Sequence, residues 1–281
     1  MVLLTALWGF QQVAIKVAAA DVSLVMQAAI RSIIATVLLF GWAHARGIAL
    51  LRRDGTLGPG VLAGLLFGGE FVFIYAGLAH TSASRMIVFI YLTPVLTALG
   101  LHWLVPGERL VLRQWAGVAV AFAGLMLAFA EGFWSAQGAT FLGDLFGVVA
   151  AVLWAATTVL IRASTLARVT ATKTLFYQLW LSALVLLAAS LLMGESGVVA
   201  LTPLALASLA YQGVIVAFAS YLAWFWLLTR YLAGRLAVFS FLAPLFGVIF
   251  GVWLLDEPLT PSFAGAALMV GAGIVLVNLR R

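Results

Sequence analysis

Glu70, in the stretch GGEFVFIY, is the only acid set deep within an apolar run of this chain. An ionisable group at such a depth invites proton or cation chemistry. It is a candidate to carry a coupling proton or to meet a substrate ammonium, and the competing role is a structural ion pair with Arg31 or Lys16. His80, beside Arg85, is a second candidate proton acceptor or outer gate, against a plain solvated helix end. Aromatic and polar side chains recur at helical spacing around these. Trp8 and Gln12 lie one turn apart, as do Trp154 and Thr158. Phe71, Tyr75 and Leu78 form a stripe, Tyr91 stands near Pro94, and Tyr221 and Trp224 share a later segment. Rings with polar tips suit a cavity for a small amphipathic molecule. The alternative is interhelical packing bridged by polar groups. Pro94 and Pro244 cannot donate a helical hydrogen bond, so each predicts a kink and a freed carbonyl mid-membrane. Such kinks make hinges for a gate, although proline also serves packing.

Catalytic constellations are lacking in the sequence. There is no HExxH, no GxSxG and no pair of acids on one buried face, and His44, His80 and His102 fall on different segments. Cysteine is absent, which removes thiol nucleophiles, disulfides and thiolate metal sites. No metal or other cofactor is expected. A Walker-type loop is missing too, so an ATP-driven cycle would need another protein. No rings of like residues suggest a channel.

The elements that must position these residues are membrane spans. At 65% hydrophobic, 9% charged and mean hydropathy +1.18, the composition of the 281 residues lies outside the soluble range. Apolar runs of the length needed to cross hydrocarbon follow one another almost without pause. They predict ten helices, near 1–18, 22–44, 57–79, 84–104, 110–130, 140–163, 170–193, 203–229, 234–254 and 259–279. The connections are too short for a soluble catalytic domain. Basic residues sort by side: Arg46, Arg52, Arg53, Arg109, Arg113, Arg162, Arg168, Lys173, Arg230, Arg235, Arg280 and Arg281 flank one face, against Lys16 and Arg85 on the other. Twelve against two predicts cytoplasmic termini. The net charge of +6 is thus a topology signal, with some anionic-lipid contact, rather than a nucleic-acid footprint. Only 15 residues precede Lys16, about 23 Å of helix, so either its ammonium snorkels outward or an N-terminal leader is missing. No cleavable signal pattern is present.

The chain also repeats itself. Aligning Pro94 with Pro244, an offset of 150, brings Arg85 onto Arg235 and Tyr75 onto Phe225. A one-residue gap then brings Glu108 onto Glu257, Leu110 onto Leu259 and Gly124 onto Gly273. Upstream, LWGFQQVAIK from Leu7 matches LWAATTVLIR from Leu153. This divides the chain into two five-helix halves, 1–131 and 138–281. Five crossings each means that the halves are inverted, the arrangement on which alternating access rests. Glycine pairs Gly64/Gly68, Gly143/Gly147 and Gly247/Gly251 have the spacing for close helix contact.

With LWG at Leu7 to Gly9, YLTP and FLAP ending at Pro94 and Pro244, and GER/DEP at Gly107 to Arg109 and Asp256 to Pro258, the sequence resembles the EamA-type family of the drug/metabolite transporter superfamily. The resemblance implies a ten-helix, all-α membrane fold in which spans 1, 3, 4, 6, 8 and 9 line a central cavity while 5 and 10 pack behind. Its aromatic interior is most similar to the YddG-type exporters of aromatic and other neutral amino acids. The expectation is a secondary transporter of the bacterial inner membrane that exports small metabolites, with substrate held among Trp8, Tyr75, Tyr91, Trp154 and Trp224. The partners expected are a small-molecule substrate and the lipid bilayer, with a monomer favoured and no nucleic acid. The alternative is a polyspecific exporter of cationic drugs. The small multidrug members place a glutamate in the first helix where this chain has Gln11 and Gln12, which weakens that alternative.

Overall fold

In the computed structural model, residues 1–52, 54–134, 141–256 and 261–279 are described. Arg53, Glu257, Pro258, Leu259, Arg280 and Arg281 lie outside the described residues. Among the described residues the chain is helical throughout, with α1 Val2–Ala18, α2 Leu24–Ala45, α3 Leu57–Leu78, α4 Ala83–Ile90, α5 Thr93–Leu104, α6 Leu112–Ala128 and α7 Ala130–Trp134. Then follow α8 Phe141–Ala163, α9 Ala171–Leu192, α10 Pro203–Ala210, α11 Tyr221–Arg230, α12 Ala233–Ala237, α13 Leu242–Leu255 and α14 Phe263–Asn278. Among the described residues, seven stretches are long and apolar enough to cross a membrane: α2, α3, Arg85–Leu104, α8, α9, Pro203–Arg230 and Ala233–Leu255. The shorter apolar helices α1, α6 and α14 complete the ten spans.

Three of the expected helices carry interruptions. The span expected at 84–104 breaks at Tyr91 and Leu92, and the one at 234–254 passes through a 3₁₀ turn at Val238–Phe241. The span at 203–229 contains a π-helical stretch, Tyr211–Ser220. The proline pattern explains the first two. Pro94 stands in the opening turn of α5, and Pro244 in that of α13, so each proline starts a helix instead of bending a continuous one. Pro94 leaves the Ile90 carbonyl without its helical donor, and the Thr93 hydroxyl donates to that oxygen at 2.6 Å.

The repeat motif that ends each of these spans also has a local cause. Gly107 (φ 90°) and Asp256 (φ 52°), which align when Glu108 is laid on Glu257, both hold left-handed backbone. Glycine and aspartate are among the few residues that accept it. Glu108 then turns back, and its Oε1 accepts from the Ala233 N–H at the start of α12 (3.2 Å).

Contacts divide the chain into two compact units, each drawing on both halves of the sequence. The first comprises Met1–Gly9, Phe73–Val159 and Tyr231–Arg281. Its core is the α6–α14 pair, where Val118, Ala121 and Leu125 meet Ala266, Val270 and Ile274 under Phe241. Gly117 and Gly273 make this possible: a Cβ on Gly273 would stand 2.5 Å from the Gly117 carbonyl oxygen, and one on Gly117 would stand 2.7 Å from that of Gly273. Gly143 and Gly147 let α8 approach His80 and Phe89, and Gly9 lets α1 approach Gly247.

The second unit comprises Phe10–Val72 and Leu160–Arg230. Here Gly64 and Gly68 bring α3 onto Tyr177, Leu181 and Val185 of α9. Polar side chains bridge the rest. Gln212 donates to Gln27 (2.8 Å) and to Ser208 (3.0 Å), whose hydroxyl donates to the Ala14 carbonyl. Glu195 caps α2, accepting from the N–H groups of Val25 and Met26, both at 3.1 Å. At the other end of α2 and α9, the Lys173 ammonium donates to Asp54 (2.7 Å) and to the Arg52 carbonyl (2.8 Å). That bond, with one from the Thr56 hydroxyl, pulls the Asp54 carboxyl from 3.8 down to about 2.

Two outcomes follow from this packing. Gly273→Ala lowers the thermal midpoint of the detergent-solubilised protein, by a loss of about 1–3 kcal/mol from overpacking. Gly41→Ala, whose Cβ meets nothing within 4 Å, leaves the midpoint unchanged or raises it. For Asp54, a depressed carboxyl stabilises the fold above its unfolded value of 3.8 and loses that contribution as pH falls through about 2. A melting series of wild type against Asp54→Asn therefore shows a gap that is constant near neutral pH and closes between those two values.

Candidate functional site

In the first unit, the break before Pro94 sets Tyr91 at the C-terminal end of α4, clear of the helical ladder that follows. Its ring meets Trp154 of α8 edge to face, with centroids 6.1 Å apart. The two rings pack on Met86, Ile90 and Ala150, with Phe73, Ile74 and Leu78 alongside. Both remain half-buried, so a face of each is open to a neighbour. Trp8 and Tyr75 belong to the same unit and are also half-buried. Thr158 is buried, and its hydroxyl donates to the Trp154 carbonyl of its own helix at 3.4 Å. Pro94 and Pro244 are both buried.

At the opposite end of α4 lies a cluster that the sequence reading missed. Arg85 forms an ion pair with Asp144, its Nε donating to Oδ1 at 3.0 Å and its Nη2 to Oδ2. Its Nη1 donates to the Phe133 carbonyl (3.1 Å), and the guanidinium lies 4.1 Å from the Phe133 ring centroid. Thr81 donates to the same Asp144 oxygen at 3.1 Å. This ties α4, α7 and α8 together. His80 is exposed beside it, its ring 6.2 Å from that of Phe146. The one advance signal was Arg85 aligning with Arg235. Nothing in the spacing named Asp144.

The second unit holds Glu70, Phe71, Tyr221 and Trp224, together with Gln12 and Lys16. Gln12 and Lys16 are exposed, whereas Gln11 is buried. Glu70 and Arg31 are each only 3% exposed. Arg31 lies over the ring of Phe71, 4.5 Å from its centroid, and hydrogen-bonds Tyr221. Phe67 joins the two rings, edge to face with Phe71 (5.4 Å) and with Tyr221 (6.1 Å). Arg31 and Glu70 interact electrostatically, yet Glu70 Oε2 is buried without a hydrogen-bond donor. The arrangement sets a buried cation and a buried anion behind a partly open aromatic wall. The sequence suggests Arg31 only as an ion-pair partner for Glu70.

Comparison with known proteins follows the same architecture. The EamA-like transporter family matches twice, over residues 1–130 and 141–279. An "Uncharacterized transporter" of Archaeoglobus fulgidus is 29% identical, over 98% of this chain and 94% of its own. The "Uncharacterized transporter YvbV" of Bacillus subtilis is 28% identical, over 98% and 89%. A "Probable amino-acid metabolite efflux pump" of Escherichia coli is 26% identical, over 99% and 94%. One solved crystal structure superposes with a TM-score of 0.80 at 21% identity, covering 99% of this chain and 98% of that one, which establishes a shared fold.

A double-mutant cycle tests the Arg85–Asp144 pair. Arg85→Met and Asp144→Asn each lower the thermal midpoint, and the combination costs less than their sum by about 1–3 kcal/mol. Strict additivity would mean that the two side chains do not support one another.

Proposed function

Because this chain belongs to the EamA-like transporter family, being matched by it in both halves, we propose that it is a secondary transporter that exports aromatic and other neutral amino acids by alternating access. The double match carries this reading. Each half supplies five spans, an odd number, so one sequence pattern is placed in two opposed orientations across the bilayer. Related packings of the two repeats can then open a site to either side in turn. The bias of basic residues supports cytoplasmic termini in a bacterial inner membrane. The substrate class is supported by the name of the Escherichia coli relative and by the Tyr91–Trp154 pair, which offers apolar area with polar tips.

The candidate substrate contacts are Trp8, Tyr75, Tyr91, Trp154 and Thr158 in the first unit and Gln12, Phe71, Tyr221 and Trp224 in the second. The helix breaks before Pro94 and Pro244 act as the hinges at which each repeat changes its packing. The candidate coupling residues are Lys16 and Glu70 in the second unit and His80 in the first. A second reading, proton-coupled export of organic cations, is favoured by one observation, the undonated oxygen of Glu70.

Counterflow into proteoliposomes separates the two. Labelled tryptophan, phenylalanine and threonine are expected to exchange without an imposed pH gradient, while a cationic dye does not move. Gradient-dependent dye movement with silent amino acids would establish the second reading. Trp154→Ala and Tyr75→Ala should each cut amino-acid exchange by about tenfold or more, in keeping with the loss of a ring that anchors a ligand. Unchanged helicity and thermal midpoint would show that the loss is one of transport and not of folding.

A further inference from the structure

We infer that Arg31 and Glu70 read the head group of the transported amino acid, Arg31 taking its carboxylate and Glu70 its ammonium, while Phe67, Phe71 and Tyr221 form the wall along which its side chain lies. This rests on the amino-acid reading above and assigns the residues that make it selective for a zwitterion. Arg31 comes from α2, a span that the family resemblance does not place at the cavity.

The argument begins with what remains unsatisfied. A guanidinium carries five N–H donors in a fixed fork that matches a carboxylate. Arg31 spends part of that fork on Tyr221, and its flat face lies on Phe71 at 4.5 Å, which fixes the plane in which the remaining donors lie. Glu70 lies close enough to feel this charge, yet its Oε2 is buried and accepts no hydrogen bond. An unmatched polar atom in an apolar interior is costly, and a ligand that donates to this oxygen would remove that cost. An open acceptor therefore lies next to a guanidinium whose fork Tyr221 uses only in part. A molecule that brings an ammonium and a carboxylate on adjacent atoms matches both at once. A simple cation would add like charge beside Arg31, and a simple anion would add like charge beside Glu70.

The aromatic wall fits the same ligand. Phe67, Phe71 and Tyr221 are half-buried, in contrast to the two charges behind them, so a face remains open next to the head-group site. Tyr221 follows directly on the π-helical stretch Tyr211–Ser220. Such stretches concentrate at functional sites, where a widened turn re-aims the residues beside it.

The full-length protein in proteoliposomes, exchanging labelled phenylalanine, tests this with wild type and two variants. The competitors are N-acetylphenylalanine, which lacks the ammonium, and phenylalanine methyl ester, which lacks the carboxylate. In wild type both compete at least about tenfold more weakly than phenylalanine, as expected when a buried charge loses its partner. Glu70→Gln raises KM for phenylalanine and narrows its advantage over the N-acetyl compound. Arg31→Gln raises KM and narrows the advantage over the ester. A merely structural pair would lower the thermal midpoint and leave both ratios unchanged, and that result overturns the assignment. Equal competition by either analogue in wild type overturns it without recourse to any variant. A wild type that exchanges no amino acid at all overturns the preceding functional reading and this one with it, whereas exchange with unaltered ratios overturns this one alone.

Discussion

Hydrocarbon offers no water to pair a backbone donor or acceptor, so wherever this chain departs from a regular helix inside the membrane, a side chain or a second segment must complete the bond. The described residues follow this rule closely. Thr93 supplies the donor that Pro94 takes away from Ile90. Gln114 accepts from the Val111 N–H and donates to the Val277 carbonyl, so it closes the start of α6 and the end of α14 together. Arg162 donates to the Leu228 carbonyl near the end of α11. Burial of apolar surface does not by itself hold such helices together, because lipid tails are as apolar as leucine. Close approach must do so, and the glycines at 64, 68, 117 and 273 provide it by removing the Cβ that would otherwise strike the facing backbone or side chain.

The duplicated motif is intelligible in the same terms. A helix broken ahead of proline, a left-handed residue at its end and an acid two steps before leucine form one unit of construction, used twice. In the first copy the acid, Glu108, ends on the N–H of Ala233 and so joins the close of α5 to the start of α12. The first copy therefore carries a structural function, that of holding two breaks in register.

Against this background the charges divide into two groups. Asp54, Lys173, Arg85, Asp144 and Glu195 stand near helix ends, where each has named partners and ties segments together. Arg31 and Glu70 stand deep within their helices, almost wholly buried, with one carboxylate oxygen undonated. Their setting, almost wholly buried beside a half-buried aromatic face, differs from that of the ion pairs at helix ends and is the setting in which intramembrane charges tend to serve function.

The sequence by itself determined the membrane class, the ten spans to within a few residues and the twofold repeat, because long apolar runs and internal similarity are one-dimensional signals. It placed Glu70 correctly as a buried acid and Tyr91 next to a helix break. Only the tertiary structure decided which residues share a site. Helices such as α3 are apolar on nearly every side, so periodicity does not tell which face meets which neighbour. The placement of Arg31 over Phe71, 40 positions away, and the pairing of Arg85 with Asp144, 59 positions away, depend on the rotation and height at which two helices dock. Those are set by glycine contacts and buried hydrogen bonds between distant segments, quantities that no local pattern encodes.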